Sequence, residues 1–184
     1  MSLEIKVKLT NCRSKLQITE LANQIHANQE LLAVYYKLSA ENAFEDADKA
    51  AWVIRSFFQQ EKGIDLKHQK KIIQLLTKVE NEAVLRNLSG VMADFPFDKK
   101  LSEEVINLSF RILSEDHHDV AVYANFMIAL IPSTTRVMAL AKSPNASMAI
   151  LRLLPKILKA VETTPDRIGA TNLASHSIIG LAVS

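Results

Sequence analysis

Four consecutive residues, Asp116-His117-His118-Asp119, form the densest cluster of metal-ligating side chains in the sequence. A zinc site needs three or four such groups that converge on one point from fixed positions. Adjacent residues in a turn point in different directions, and no second set of His, Cys or Glu is spaced to join them. The sequence therefore predicts a solvated capping turn at this position and no metal site.

A second pair of chemically capable groups, Asp46 and Asp48, could serve as an acid and a base. Both lie at the start of a predicted helix, where the helix dipole and the free amides of the first turn favour negative charge. We therefore interpret them as capping residues. No Ser, His and Asp can be grouped by spacing as a catalytic triad, and no glycine loop is present to hold phosphate. The sequence predicts no catalytic residue and no cofactor.

The densest basic region spans residues 62–78. Within it, Lys67, Lys70, Lys71 and Lys78 share one exposed side of a predicted helix, an arrangement that can follow a line of phosphates. Residues 133–184 also carry more Lys and Arg than acidic residues. The net charge is only +2, however, and no aromatic residues are interleaved with these lysines, as they would be in a typical nucleic-acid-binding surface. Nucleic-acid binding is therefore our alternative hypothesis, beside the plainer interpretation of a solvated helix face.

These groups must be positioned by helices, because one apolar stripe with helical spacing recurs along the chain. In residues 47–58 the stripe is centred on Ile54 and includes Ala47, Ala50, Ala51, Phe57 and Phe58, all within about 60° of the centre on a helical wheel. The later stripes are Asn81, Val84, Leu85, Val91 and Met92 around Leu88; His117, Val120, Ala121, Met127 and Ile128 around Ala124; and Ser147, Ile150, Leu151, Ile157 and Leu158 around Leu154. The four centres are 34, 36 and 30 residues apart, which is typical of a helical-repeat array. This register places His117 toward the core and His118 outward.

The fold that this spacing predicts is all-α: a right-handed α-solenoid of about four antiparallel helix pairs with an N-terminal cap helix at residues 14–25. Asn28, Asp65 and Asn81 are the expected helix caps. We place the repeat domain at residues 1–163 and an irregular tail at residues 164–184. Residues 1–12 stay ambiguous, because residues 3–9 alternate like a strand but have no evident pairing partner.

The side chains opposite the core stripe form a set that we call the outward row. Its members are Trp52, Arg55, Arg86, Asn125, Arg152 and Lys159. In solenoids the stacked second helices of the pairs line the concave face, and Trp and Arg are favoured at interaction hot spots. The row predicts a surface that binds a protein or peptide. In the competing interpretation Trp52 packs beneath a neighbouring repeat, as tryptophan side chains are mostly buried.

The alternating helices, the period near 35 residues and the segment Lys49-Ala-Ala-Trp-Val-Ile-Arg55 resemble the HEAT/armadillo-like superfamily over residues 14–162. HEAT repeats commonly have an Asp before the second helix and a basic residue within it, which Asp46 or Asp48 with Arg55 match, as does Arg86 in the next pair. The third pair lacks the basic residue. This resemblance implies a binding or scaffolding surface and no catalysis.

The Ala-Ala-Trp-Val segment also resembles short bacterial helical proteins that sometimes carry an adenylosuccinate lyase name. That lyase superfamily needs a mobile Gly-Ser-Ser-rich loop with a catalytic serine, and Gly63, Gly90, Gly169 and Gly180 adjoin no such run. The residues therefore do not support lyase chemistry.

The composition fits a globular, non-membrane protein, with 48% apolar and 23% charged residues. Cys12 is the single cysteine, so neither a disulfide framework nor a cysteine-based metal site is expected. No apolar run reaches about 18 residues, and the first residues lack the layout of a signal peptide. From the sequence we expect a cytoplasmic, non-enzymatic interaction module without cofactors, whose partner is a protein or peptide.

Overall fold

The computed structural model describes residues 2–41, 43–115 and 117–130, and this part of the chain is helical without any strand. The helices are α1 (Ser2–Asn11), α2 (Lys15–Ala27), α3 (Glu30–Ser39), α4 (Ala47–Glu61), α5 (Leu66–Leu76), α6 (Glu82–Asp94), α7 (Ser102–Ser114) and α8 (Val120–Leu130), with a 3-10 turn at Lys99–Leu101. The chain divides into two compact units, and the second begins at Ser102. The all-α prediction is confirmed. The predicted fourth pair around Leu154 and the boundary at residue 163 lie outside the described residues.

Side-chain caps fix the starts of several helices, because the first amides of a helix have no partner within it. Ser14 and Gln17 form a capping box at the start of α2. Asp65 accepts a hydrogen bond from the backbone amide of His68 at 2.8 Å. Asn81 accepts from the amides of Ala83 and Val84 at 2.9 and 3.1 Å. The predicted caps at residues 65 and 81 are therefore confirmed.

Asp46 does not cap α4, which corrects the sequence interpretation. Its carboxylate accepts a hydrogen bond from the Thr10 hydroxyl at 2.7 Å and pairs with the Lys49 ammonium at 2.7 Å. Lys49 also donates to the backbone carbonyl of Leu9 at 3.2 Å. These contacts fasten the end of α1 to the start of α4.

The segment that alternates like a strand is the helix α1. Ile5 and Leu9 lie four residues apart and face the core, whereas Leu3 and Val7 are exposed by 76% and 54%. Residues four apart share one face of a helix, so strict alternation over seven residues gives two apolar faces, of which only one is buried. Helix α2 is consequently not the terminal element of the first unit.

The core of the first unit is built around α4, which packs against α2, α3 and α6. All six predicted stripe residues of α4 are buried, together with Val53. The apolar residues predicted for α6 (Val84, Leu85, Leu88, Val91 and Met92) are buried as well. Since burial of one such large side chain contributes about 1.5–3 kcal/mol, the stripes identify the residues that stabilise this unit.

Helix α4 ends at Lys62, whose φ of 54° lies in the left-handed region. It is the one non-glycine residue with positive φ among the described residues. Glycine usually occupies this position because it has no Cβ to clash with the backbone. Here Gly63 comes one residue later, and a Cβ built on it would meet nothing within 4 Å.

In the second unit, α7 packs against α8, but α8 is rotated from the predicted register. Val122, Tyr123, Asn125, Phe126 and Ala129 are buried, whereas the predicted stripe residues Val120 and Ala121 are exposed and Ala124, Met127 and Ile128 are half-buried. The predicted stripe around Ala124 is therefore wrong. Val120–Leu130 contains no charged residue, so the sequence of α8 has no polar face that could fix its orientation.

None of the helices in the described ranges is long and apolar enough to cross a bilayer.

Candidate functional site

The outward row is exposed on α4 at Trp52, as the sequence predicted. Trp52 retains 37% of its surface, and it is the one exposed residue among the Phe, Tyr and Trp residues of the chain, all of which are described. Arg86 on α6 is also exposed. Arg152 and Lys159 lie outside the described residues, so their place in the row stays a prediction.

Arg55, the second member of the row, is held in an ion pair between α4 and α6. Its Nε and Nη2 atoms donate to the two carboxylate oxygens of Asp94 at 2.9 and 3.1 Å, and Gln59 donates to the same carboxylate at 2.8 Å. The Arg55 side chain is only 13% exposed. Planar bidentate pairing of this kind fixes both side chains in position, so Arg55 supports the surface beside Trp52.

The guanidinium of Arg55 lies directly over Gly90 on α6. A Cβ built on Gly90 would overlap the guanidinium atoms, so a larger residue there would displace the Arg55 side chain from this position. A second contact nearby joins the same helices, because Asn87 donates to the backbone carbonyl of Asp48 at 3.1 Å. The outer faces of α4 and α6 therefore form one braced surface.

Asn125 does not belong to the outward row, which corrects the prediction for this residue. Its surface is only 1% exposed on α8. The cause is the rotation of α8, which turns Val122 and Asn125 inward and leaves Val120 outward. A residue so deeply buried cannot contact a partner directly.

The predicted basic face lies along one wall of a cleft in the first unit. The cleft has a volume of about 1470 Å³ and is bounded by α3, α5 and the C-terminal end of α4. Lys67, Lys70, Lys71 and Lys78 are all exposed and line it. The first three lie on α5, but the helix ends at Leu76, so the prediction that Lys78 shares its helical face is wrong. Their role in nucleic-acid binding stays a prediction.

The opposite wall and the floor of the cleft were missed from the sequence. Helix α3 and the residue after it contribute Glu30, Ala33, Tyr36, Lys37 and Ala40, and the floor includes Phe57, Phe58, His68 and Leu75. The residue types alone give no indication of a cleft, because residues such as Tyr36 and Phe58 are typical of a hydrophobic core. Only the packing of α3 and α5 onto α4 brings these residues to one cleft.

A hydrogen-bonded pair lies at the bottom of the cleft, where the Tyr36 hydroxyl is 3.1 Å from Nδ1 of His68. The His68 ring also packs against Phe58, with ring centroids 5.6 Å apart. Burial, and to a smaller degree the charge of Asp65, raises the pKa of Tyr36. Burial lowers the pKa of His68, so both groups are neutral near pH 7 and form a polar but uncharged floor.

The Asp-His-His-Asp turn of the second unit has the opposite orientation to the prediction. The His117 side chain is 71% exposed, whereas that of His118 is only 6% exposed. Nε2 of His118 lies 2.6 Å from a carboxylate oxygen of Glu115, and the backbone amide of His118 donates to the Tyr123 hydroxyl. His118 is therefore the inward residue, held by the contacts of the turn. The prediction that this turn binds no metal stays a prediction.

A family model of the HEAT repeat domain matches residues 5–130, about two-thirds of the chain. No curated protein and no solved structure matches the sequence. The matched range contains all of α2 to α8 and most of α1. With its braced helices and recurring apolar stripes, the chain belongs to the HEAT repeat domain family.

Proposed function

We propose that this chain is a non-catalytic interaction module that binds a protein or peptide partner on the outer faces of α4 and α6. The observation that carries the proposal is the exposure of Trp52, since the other Phe and Tyr residues of the chain are buried or half-buried. Tryptophan contributes large contact energies at protein interfaces, where its ring enters a pocket on the partner. Trp52 is the proposed anchor of the interface.

The surroundings of Trp52 support this role. Arg86 is an exposed residue of the neighbouring helix α6, and arginine is also enriched at hot spots. The Arg55–Asp94 pair holds α4 and α6 in a fixed relation, which lowers the ordering cost of binding because the surface needs little rearrangement. Arg152 and Lys159 are proposed to extend the same row beyond the described residues.

The absence of catalysis is part of the proposal. Asp46, the acidic residue nearest to a catalytic arrangement in the sequence, is engaged by Thr10 and Lys49 in a contact between helices. Membership of a family whose repeats form binding surfaces agrees with this interpretation. The adenylosuccinate lyase resemblance contributes no catalytic residue to the proposal.

Affinity capture from the native host, with the full chain as bait, tests the proposal. The variants are Trp52→Ala and the matched control Leu16→Ala, which also removes an exposed large apolar side chain, 68% exposed on α2. We expect a partner that is retained by the wild type and by Leu16→Ala. Its affinity for Trp52→Ala should be at least about tenfold weaker, since loss of a hot-spot residue costs about 2 kcal/mol or more.

Fluorescence provides a direct second measurement, because Trp52 is the single tryptophan. The free protein should show red-shifted emission that acrylamide quenches readily, and the purified partner should shift the emission to the blue. A partner that binds Trp52→Ala as tightly as the wild type would disprove the proposed anchor. So would a blue, quencher-resistant emission in the free protein.

A further inference from the structure

The cleft between α3 and α5 carries an excess of positive charge that the described residues leave unneutralised. Six lysines line it (Lys6, Lys37, Lys67, Lys70, Lys71 and Lys78) against four acidic residues (Glu30, Glu41, Glu61 and Asp65). Within the described ranges Lys6 is paired, and none of the other five lysines forms an ion pair. Of the acidic residues in the cleft, Glu41 is paired with Lys6 at 2.6 Å and Glu61 with His26 at 2.7 Å. Such a surface attracts an acidic ligand.

The lysines of α5 have the spacing of one helical face. Lys67, Lys70 and Lys71 lie three and four residues from one another on this helix, and Lys78 lies two residues beyond its last residue, Leu76. The carboxylates of another helix, placed at intervals of three and four residues, repeat with the same spacing. An acidic helix beside α5 can therefore meet several lysines at once.

The opposite wall allows close approach of a backbone. Ala33 on α3 and Ala40, the residue that directly follows this helix, are exposed and lie seven residues apart, with Lys37 between them. Small side chains on one face permit helices to pack closely. The volume of about 1470 Å³ also exceeds the range of about 300–1,000 Å³ for small-molecule sites, so the cleft is large enough for a polypeptide segment.

The same cleft is poorly suited to nucleic acid. Glu30 and Asp65 also line the cleft. A nucleic acid carries a phosphate at every nucleotide and would bring some of them near these carboxylates, whereas a helical ligand can carry its carboxylates only opposite the lysines. The aromatic rings of the floor are buried, with Tyr36 and Phe58 only 5% and 2% exposed, whereas single-stranded nucleic acids need open aromatic faces on which bases stack. A protein ligand can place carboxylates near the lysines and apolar groups over the floor.

We propose that the cleft between α3 and α5 is a docking groove for an acidic, amphipathic α-helix of a partner protein. This inference rests on the proposed function in that the occupant is a protein. It assigns a second surface, however, because Trp52 does not line the cleft. The carboxylates of the docked helix contact Lys67, Lys70, Lys71 and Lys78, and its apolar side faces Ala33, Ala40 and the floor.

Fluorescence anisotropy with the full chain tests the groove at about 50 mM salt, where charge attraction is weakly screened. The probe is a labelled, designed 20-residue amphipathic helix with glutamates spaced three and four residues apart on one side. The comparison probes are the same helix with lysine in place of every glutamate and a 20-base-pair DNA duplex. We expect micromolar binding of the acidic helix only.

Two matched variants locate the binding site. Lys70→Glu and Lys15→Glu change the net charge equally, and both lysines are exposed, but only Lys70 lines the cleft. Lys70→Glu should weaken binding at least about fivefold and Lys15→Glu less than about twofold. Ala33→Trp, which fills the groove from an exposed position, should weaken it at least about tenfold while the helical circular dichroism is unchanged.

The proposed docking groove would be disproved if the acidic helix did not bind, or if Lys70→Glu and Lys15→Glu weakened its binding equally. Tighter binding of the duplex than of the helix would also disprove it. Trp52→Ala separates this inference from the proposed function. If the acidic helix needs Lys70 but the captured native partner binds Trp52→Ala normally, the groove stands and the proposed anchor fails. If the acidic helix needs Trp52 and is indifferent to Lys70, it binds the outer face of α4 and the groove is wrong.

Discussion

Helices α4 and α8 both carry a large apolar content, yet the sequence predicted the buried face of one and not of the other. In α4, Asp48, Lys49, Arg55 and Gln59 interrupt the apolar residues at helical spacing, and every stripe residue is buried. In α8 the sequence is Val-Ala-Val-Tyr-Ala-Asn-Phe-Met-Ile-Ala-Leu, and its two side chains with polar atoms, Tyr123 and Asn125, are both buried.

The difference shows that charged residues, more than apolar ones, define the orientation of a helix in this chain. A charged side chain is costly to bury without a partner, so each one excludes a set of rotations about the helix axis. Helix α4 has three such constraints among the residues named (Asp48, Lys49 and Arg55), and α8 has none. The prediction from the repeat period assumed that α8 buries the same face as α4. Nothing in the sequence of α8 enforces that orientation.

The largest expected effect comes from shortening one residue on each of the two candidate buried faces of α8. Phe126→Ala should lower the free energy of unfolding by about 3–5 kcal/mol, the usual cost for a buried aromatic side chain, since Phe126 is 0% exposed. Met127→Ala should cost less than half as much, because Met127 is half-buried. Urea unfolding followed by circular dichroism measures both. A larger loss for Met127→Ala would restore the register predicted from the repeats.

A smaller effect, with a change of sign, tests the contact that braces α4 and α6. Gly90→Ala should destabilise the protein by about 1–2 kcal/mol, since the new methyl group displaces Arg55 and breaks its charged hydrogen bonds to Asp94. In an Arg55→Ala background the obstacle is gone, and Gly90→Ala should instead stabilise by about 0.5–1 kcal/mol through helix propensity. The same urea experiment provides the double-mutant cycle. Equal effects in both backgrounds would show that Gly90 does not accommodate Arg55.

The smallest effect concerns α1, whose sequence pattern is as ambiguous as that of α8 and whose position depends on polar contacts. Burial opposes ionisation of Asp46, but hydrogen bonds from Lys49 and Thr10 outweigh it and lower the pKa of this carboxyl. A lowered pKa stabilises the folded state above the ordinary value of about 3.9, and this contribution is lost as the pH falls through the lowered pKa.

Asp46→Asn should therefore be less stable than the wild type at pH 7, by under about 1 kcal/mol for a pair near the surface. The difference between the two proteins should shrink once the pH falls below about 4. Thermal unfolding at a series of pH values measures it. A difference that stays constant from pH 7 to pH 3 would mean that the Asp46 charge does not contribute to folding.

Much of the first unit was predictable because local rules determine it. Asp65 and Asn81 cap their helices through residues two or three positions away, and the stripes around Ile54 and Leu88 follow from periodicity. Residues 3–9 were not predictable in the same way. Their alternation fits a strand equally well, and only the contacts of Thr10 and Leu9 with residues 46 and 49 show where the helix lies.

The candidate surfaces likewise combine features that were predictable from one helix with features that depend on tertiary packing. The exposure of Trp52 and the shared face of Lys67, Lys70 and Lys71 follow from about 100° per residue along a single helix. The pairing of Arg55 with Asp94 joins positions 39 residues apart, and the cleft needs two helices placed side by side. Such features depend on tertiary packing, which a pattern read from one sequence does not specify.

The end of α4 has a consequence for how this repeat can change over evolutionary time. Lys62 adopts the left-handed conformation, so no backbone conformation requires a glycine at residue 63. A Cβ at this position would also meet no neighbouring atom within 4 Å. Extra residues inserted at this connection would extend into solvent without disturbing the packing of α4 on α2 and α6. Because Gly63 also lines the cleft, a change in the length of this loop would alter the shape of the cleft while leaving the core of the unit intact.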